Sequence, residues 1–427
     1  MTVRHSLRTL KRSKKRKTIK KGGQNASNNI KRKIKEIPTT FNVLGKGSYG
    51  SVLAPPLPNK ETIPPIFGVT KIYVKEPSIQ KTQQFKQFVN QTANISNNTK
   101  QRYNYYKYKY FQDYKLKNIF PKLSNNNVKV LRKEFKVQTN KNANELIYPI
   151  AFPHLGLSFV DIVEQEREAR PGLDYYLCYE ILDCMKIIQT VVNNKYIHGD
   201  IRETNVMLQL ESLEMTIIDF DWLYPWNIYY KRMYENQKPT RLFYPHPPEC
   251  LFVTEIWKLI QEVILQDETS VKKRLKDFWY NIQKLRVVES SVNYQYVQFD
   301  IDDSYVDSIY QFFKDNYDSK ESIGLLLFET EASYFIDSYG FAYAISFLLF
   351  GNYPIYESLQ NKTTWNLKEH PLVEGIWSED TIQSNPIRQW FRTELLPNML
   401  HPDFRQRWYI DDAINELQRR LPVINRS

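Results

Sequence analysis

The residues of this chain best suited to chemistry are three polar side chains carried on two short stretches. In Tyr196-Ile197-His198-Gly199-Asp200-Ile201-Arg202-Glu203-Thr204-Asn205, Asp200 and Asn205 stand five residues apart, between apolar residues that can anchor a loop. Further on, Ile217-Ile218-Asp219-Phe220-Asp221-Trp222 is a short β-like run that ends in carboxylates. Phosphoryl transfer asks for such a set. One carboxylate (Asp200) orients an attacking hydroxyl, while an amide (Asn205) and a second carboxylate (Asp219) hold Mg²⁺ on the phosphates.

A phosphate donor also needs a cradle. Phe41-Asn42-Val43-Leu44-Gly45-Lys46-Gly47-Ser48-Tyr49-Gly50-Ser51-Val52-Leu53 alternates into a glycine-rich turn and out again, which predicts strand–turn–strand. Its glycines let backbone N–H groups approach phosphate with no Cβ in the way. A dinucleotide-binding turn would lead from strand to helix. Here Ser51-Val52-Leu53 reads as strand and Pro55-Pro56 forbids an immediate helix. The β-like run Phe67–Val74 carries Lys71 as an inward-facing cation, with Lys75 its competitor on the same face by the period of two. A solvated strand lysine is the plainer reading of either.

Taken together, these motifs resemble the protein-kinase family. G-x-G-x-x-G stands at 45–50, H-R-D-x-x-x-x-N reads here HGD-IRET-N, and D-F-G reads DFD. The resemblance implies an α+β, two-lobed fold with a small β-rich N-lobe and a large α-rich C-lobe. It implies ATP beneath Gly45, Lys46, Gly47, Ser48, Tyr49, Gly50 and Val52, with Lys71 on its phosphates. Leu146–Gly156 resembles the hinge, where the Pro153 carbonyl and the Leu155 N–H would read adenine and His154 would lie on the surface. Arg202 takes the place of a lysine usual in Ser/Thr kinases and would neutralise charge on the transferred phosphoryl. The expected activity is Mg-ATP-dependent phosphorylation of Ser/Thr hydroxyls in protein substrates. Two rivals are kept: an inactive pseudokinase scaffold, and a small-molecule kinase of the aminoglycoside or choline type, which also carries H-G-D-x-x-x-x-N.

The elements that must position these residues follow in order. After Pro77 a helical pattern runs from Ile79 to about Ile95, where the family places a glutamate that pairs with the strand lysine. None lies there; Gln83, Gln84, Gln87 and Gln91 occupy the region, and a glutamine can hydrogen-bond an ammonium but supplies no charge. Asn/Lys-rich stretches at 90–101 and 124–143 read as surface insertions. Leu173–Asn193 has helical apolar spacing and reads as the buried helix leading into the Asp200 loop. His198 reads as structural. Gly199 replaces an arginine that receives an activation-segment phosphate in many kinases, so phosphorylation of a residue such as Thr240 should not be needed. Asp221 in place of glycine either restricts the backbone after Phe220 or adds a carboxylate near the metal. Pro248-Glu249 resembles the end of an activation segment, with Arg407 as the partner of Glu249. Residues from 250 to about 330 read as an α-rich insertion. Asp337 is expected to cap the apolar helix over 341–350 and to brace the Asp200 loop. The resemblance spans roughly residues 40–420, with insertions at 55–65, 90–145 and 250–330. The domains expected are a disordered basic tail at 1–37, an N-lobe at 38–153 and a C-lobe at 154–425.

Composition sets the outer bounds. The chain has 427 residues, 42% of them hydrophobic and 14% aromatic, which excludes a wholly disordered protein. Its net charge of +12 is concentrated: residues 1–36 hold 14 of the 59 Lys and Arg and one acid, Glu36, leaving 45 bases against 46 acids elsewhere. That tail cannot pack a core, and clustered cations neutralise phosphates, so nucleic acid or another acidic partner is its expected ligand. A solvated tail without a fixed partner is the bland alternative. Three cysteines without a C-x-x-C pair point to a reducing compartment. No apolar stretch follows the basic start and the longest apolar run, Phe341–Phe350, is too short to span a bilayer, so a soluble, non-membrane protein is expected. Oligomeric state has no signal. The Lys-rich start ending Lys20-Lys21-Gly22-Gly23, with the Asn/Lys-rich insertions, also resembles kinase-like proteins of large DNA viruses. That implies an intracellular setting in host cytoplasm or nucleus, or a virion.

Overall fold

The computed structural model describes residues 41–47, 50–57, 67–73, 79–107, 120–134, 148–153, 155–159, 174–209, 212–232, 267–285, 303–316, 332–350, 354–356, 365–367, 376–377, 379–401 and 404–421, with 162, 246–247, 250 and 329. All of them fall in one unit, Thr40–Ser427. The basic tail, Ser48, Tyr49, Lys75, His154, Thr240, Pro248 and Glu249 lie outside the described residues.

The chain is a mixed α and β protein. Five strands form one antiparallel sheet: β1 (Asn42–Gly47), β2 (Gly50–Ala54), β3 (Phe67–Tyr73), β4 (Tyr106–Lys107) and β5 (Tyr148–Pro153), in the spatial order β1-β2-β3-β5-β4. The glycine-rich stretch is the β1–β2 hairpin, with Gly47 paired to Gly50. The register sets Lys71 opposite Val52 on one side and Ile150 on the other. Cross-strand partners share a face, so Lys71, Val52 and Ile150 project from the same side of the sheet.

Helix α1 (Ile79–Gln91) buries Phe85, Phe88 and Val89 in a cluster with Tyr103, Ile187, Val191 and Leu223. The three α1 residues recur at helical spacing and form one stripe. The stretch at 90–101, expected as a surface insertion, is largely exposed but also carries regular structure. It ends α1 and starts a second helix, α2 (Asn97–Arg102), whose N-cap Ser96 accepts from the Thr99 N–H at 3.1 Å. Arg102 is then buried, donating to Glu180 and to the Met215 carbonyl, both at 2.7 Å. The polar composition of this stretch combines exposed asparagines and glutamines with a cap and the start of a buried ion pair. Within the second Asn/Lys-rich stretch, α3 (Asn125–Glu134) is also helical.

The helical body is organised on α4 (Asp174–Asn193), whose buried residues run from Leu177 to Val192. Its cysteines, Cys178 and Cys184, are packing residues, and burial pushes both thiols up from their ordinary pKa. The short α5 (Trp226–Tyr230), α6 (Glu268–Leu285) and α7 (Asp303–Asn316) contribute Trp226, Tyr229, Val271, Leu275, Tyr305 and Ile309 to the same core. Helix α8 (Ser333–Phe350) is apolar all round and buried along nearly its whole length. Short α9 (Pro386–Trp390) is fixed to the start of α4 by a buried two-bond pair, Arg388 Nε to Asp174 Oδ1 at 3.0 Å and Nη2 to Oδ2 at 2.9 Å. The last helix, α10 (Ile410–Arg420), packs on α4. Among the described residues no helix is long and apolar enough to cross a membrane.

Candidate active site

Five short strands supply the frame of the site. β6 (Leu157–Ser158) pairs with β8 (Val206–Gln209), which pairs with β9 (Glu214–Ile217), while β7 (Tyr196–Ile197) pairs with β10 (Tyr224–Pro225). The Asp200 loop is the connection from β7 to β8. Asp219 follows β9 after one residue, Ile218. Gly156 lets the chain enter β6 against β8: its φ is +87°, and a Cβ there would lie 2.3 Å from the Leu208 carbonyl oxygen.

Asp200 and Asn205 are joined by two hydrogen bonds, since the Asn205 amide donates to both the Asp200 carbonyl and its Oδ2 at 2.8 Å. Arg202 Nε lies 3.3 Å from the other carboxylate oxygen, Oδ1. Burial pushes the Asp200 carboxyl up to about 6, against the lowering effect of the Arg202 charge. His198 is fully buried and pushed down to about 4 by that burial. Its Nδ1 is 3.4 Å from the Asp200 N–H and its Nε2 is 3.1 Å from the Ile218 carbonyl, so the neutral ring carries its proton on Nε2. It bridges the two halves of the site, as its structural assignment requires.

Gly199 has φ +73°, and a Cβ there would stand 2.2 Å from the Tyr229 ring. Tyr229 donates to the Gly199 carbonyl at 3.2 Å, and His246 Nε2 is 3.2 Å from the same oxygen. A tyrosine therefore fills the space that a larger residue at 199 would need. Tyr229 and His246 were not found from sequence; nothing in their spacing marks them.

Lys71 reaches across from the sheet. Its ammonium is 3.0 Å from Asp219 Oδ1 and 3.3 Å from Asp221 Oδ2, although 148 and 150 residues separate the pairs in sequence. Burial works to lower the Lys71 pKa, but Tyr73, Asp219 and Asp221 together hold it well above the ordinary lysine value. Burial likewise raises both carboxyls, yet the Lys71 charge and hydrogen bond bring Asp219 down, while Asp221 stays raised beside the Asp219 charge. Asp219 itself sits at φ +66°. Asp221 lies in a right-handed 3-10 turn, Phe220–Trp222, so no glycine is needed at this position and the side chain is a gain of charge.

Asp337 is the fifth residue of α8, not its cap, because Tyr334–Ile336 are apolar enough to extend the helix by one turn. Both its oxygens accept from the loop, from His198 N–H at 2.7 Å and Gly199 N–H at 2.8 Å. The bracing role holds and the capping role does not. Of the glutamines of α1, Gln83, Gln87 and Gln91 are exposed and Gln84 is half-buried, while the hydrogen bonds of Lys71 go to Asp219 and Asp221. The α1 residue that reaches the site is Lys81, which donates to the Asp221 carbonyl and lies 3.3 Å from the Tyr224 ring centre. Arg407 is buried, donating to the His401 carbonyl at 2.7 Å and lying over the Phe335 and Tyr339 rings.

Pro153 ends β5 and is buried, and Leu155 is half-buried beside it. Both line a cavity of about 140 Å³ with Asn98, Gln101, Arg102, Gln209, Glu214 and Thr216. That cavity includes none of Lys71, Asp200 or Asp219 and does not form part of the charged cluster. Among the described residues no group of three or more His, Cys, Asp or Glu side chains could by itself hold a metal ion.

No family model matches the chain and no curated protein is similar to it. Among solved structures, it is similar to the autoinhibited serine kinase domain of the giant muscle protein titin, with a TM-score of 0.37 and 10% identity over 90% of this chain and 81% of that one.

Proposed function

We propose that this chain is a two-lobed protein kinase that transfers the γ-phosphoryl of Mg-ATP to Ser/Thr hydroxyls of protein substrates. The observation that carries the reading is the convergence of Lys71 on Asp219 at 3.0 Å. Strand and loop are remote in sequence, and the pair stands next to an Asp200–Asn205 couple already locked at 2.8 Å. A hairpin of glycines leads to the same sheet face through Val52.

The donor set fits magnesium. The Asn205 nitrogen is committed to Asp200, which leaves the amide oxygen for a cation, and Asp219 adds a carboxylate. One or two oxygen ligands completed by phosphates and water is the way Mg²⁺ is usually held, in contrast to a closed cage of protein ligands. Bound Mg-ATP supplies the phosphoryl group and partial neutralisation of its charge. Lys71 would bind the phosphates, Asp200 would accept the hydrogen bond of the attacking hydroxyl, and Arg202 would stabilise negative charge at the acceptor side. The N-lobe would be 38–153 and the C-lobe 154–425, with the basic stretch 1–36 free to bind nucleic acid or an acidic partner.

The test is transfer of labelled γ-phosphate by wild type and Asp200→Asn, offered to the protein itself, a mixed protein pool and a panel of small alcohols. Label on protein that falls about 10²–10⁴-fold in the variant is expected, the usual share of a positioned base. Because burial raises Asp200 to about 6 and the ionised form is the acceptor, kcat/KM should rise as pH passes upward through about 6. Label on small alcohols alone would make this a small-molecule kinase. No label with the fold intact would leave a scaffold.

A further inference from the structure

A strand lysine that must hold phosphates needs an anion to fix its long, flexible side chain. Helix α1 packs on the Phe220–Trp222 turn that carries Asp221, and its sequence IQKTQQFKQFVNQ contains no acid. It offers a second cation in its place, Lys81, bound to the Asp221 carbonyl and stacked on Tyr224. Four charges thus meet here, Lys71 and Lys81 against Asp219 and Asp221, and they balance.

We propose that Asp221 is the positioning residue for Lys71, and that Lys81 couples α1 to it, so that the carboxylate comes from the loop and the helix supplies a cation. The inference rests on the phosphoryl-transfer reading of this site. Asp219 meets Lys71 through Oδ1 and would share that carboxylate with a cation, so a second anion beside the ammonium adds to its anchoring. Asp221 is the other carboxylate in reach, at 3.3 Å. Its backbone is held from two sides. Leu223 N–H donates to the Phe220 carbonyl at 3.0 Å, closing the turn, and the Phe220 ring stacks on Phe85 of α1 with centroids 4.0 Å apart. A shift of α1 would carry Lys81 and Phe85 together, and with them the carboxylate that sets Lys71.

Two measurements test this. The first is the rate at which an amine-acylating reagent labels Lys71 in the full chain with Mg²⁺ present, read on its own peptide by mass spectrometry. Asp221→Asn should raise that rate several-fold, and Asp221→Glu should hold it near the wild-type value. The second is steady-state transfer from Mg-ATP. Asp221→Asn and Asp221→Gly should lower kcat/KM about 10- to 100-fold, the cost of a misplaced binding group. Lys81→Glu combined with Asp221→Gly, which moves the carboxylate to the helix, should recover most of that loss. Unchanged Lys71 labelling in Asp221→Asn would overturn the proposal, and so would a double variant no better than Asp221→Gly. Should Asp221→Gly fail to fold, the Asn and Glu variants still decide. If the wild type transfers no phosphate to any acceptor, the kinase reading falls, whereas the labelling series still tests the pairing.

Discussion

At the scale of single residues, Gly199 shows how a small side chain can be dictated by a neighbour. Its φ of +73° is strained for other residues, and the 2.2 Å approach of the Tyr229 ring leaves no room for a Cβ. Tyr229 is itself fully buried and cannot swing into solvent. Gly199→Ala is therefore expected to lower stability by about 1–3 kcal/mol from backbone strain alone, with the clash added, as read from denaturant midpoints. Phosphotransfer should fall with it, since Asp200 is the next residue. Asp200, Asn205 and Asp219 were legible in the sequence because their chemistry lies in short runs. The strand period set Lys71 and Lys75 on one face without choosing between them; Lys71 meets Asp219, and Lys75 lies outside the described residues. Lys81 was not legible. It is one polar residue among many on an amphipathic helix, and only the third dimension sets it beside Asp221.

At the scale of elements, α1 acts through an aromatic seam. Phe85 stacks on Phe220 at 4.0 Å and meets His198 edge-on at 6.0 Å, so one side chain touches both halves of the site. Removing it should cost about 3–5 kcal/mol for a buried phenylalanine. Under the proposed kinase reading, Phe85→Ala should also weaken Mg-ATP binding by more than Phe85→Leu does, measured by titration under conditions where both variants remain folded. Helix positions were readable from apolar spacing: α4 runs from Asp174 to Asn193 where the pattern was seen from Leu173. The misreadings share a cause. Asn- and Lys-rich composition hid α2, because a serine cap and a buried arginine pair are polar devices with no apolar periodicity. The start of α8 was placed late because Asp337 looks like a cap, and only its two loop hydrogen bonds explain a carboxylate inside a buried helix.

For the molecule as a whole, buried titratable groups set how stability follows pH. Burial pushes His198 and His246 down to about 4, so each contributes stability that is full above the unfolded value of 6.5 and is lost as pH falls toward 4. Burial pushes Asp200 and Asp337 up to about 6, so each contributes stability that is full below 3.8 and is lost as pH rises through 6. The two pairs titrate over nearly the same window with opposite sign, and their summed slope is small. Single variants should unmask it. Relative to wild type, acidification from pH 6.5 to 4 should stabilise His246→Gln and destabilise Asp337→Asn, each by roughly 2–3 kcal/mol, in urea unfolding followed at a series of pH values. The mixed α and β make-up was legible in the sequence, whereas these compensations were not, because burial is a property of the assembled chain. The Asp337 brace also has a consequence in time. It lies 138 and 139 residues beyond the loop N–H groups it holds. A ribosome adding about 5–20 residues per second needs roughly 7–28 s to cover that distance. Through that interval the nascent chain has made its Asp200 loop but not the helix that fixes it. The newborn polypeptide should therefore gain its charged cluster late, after most of its length has been synthesised.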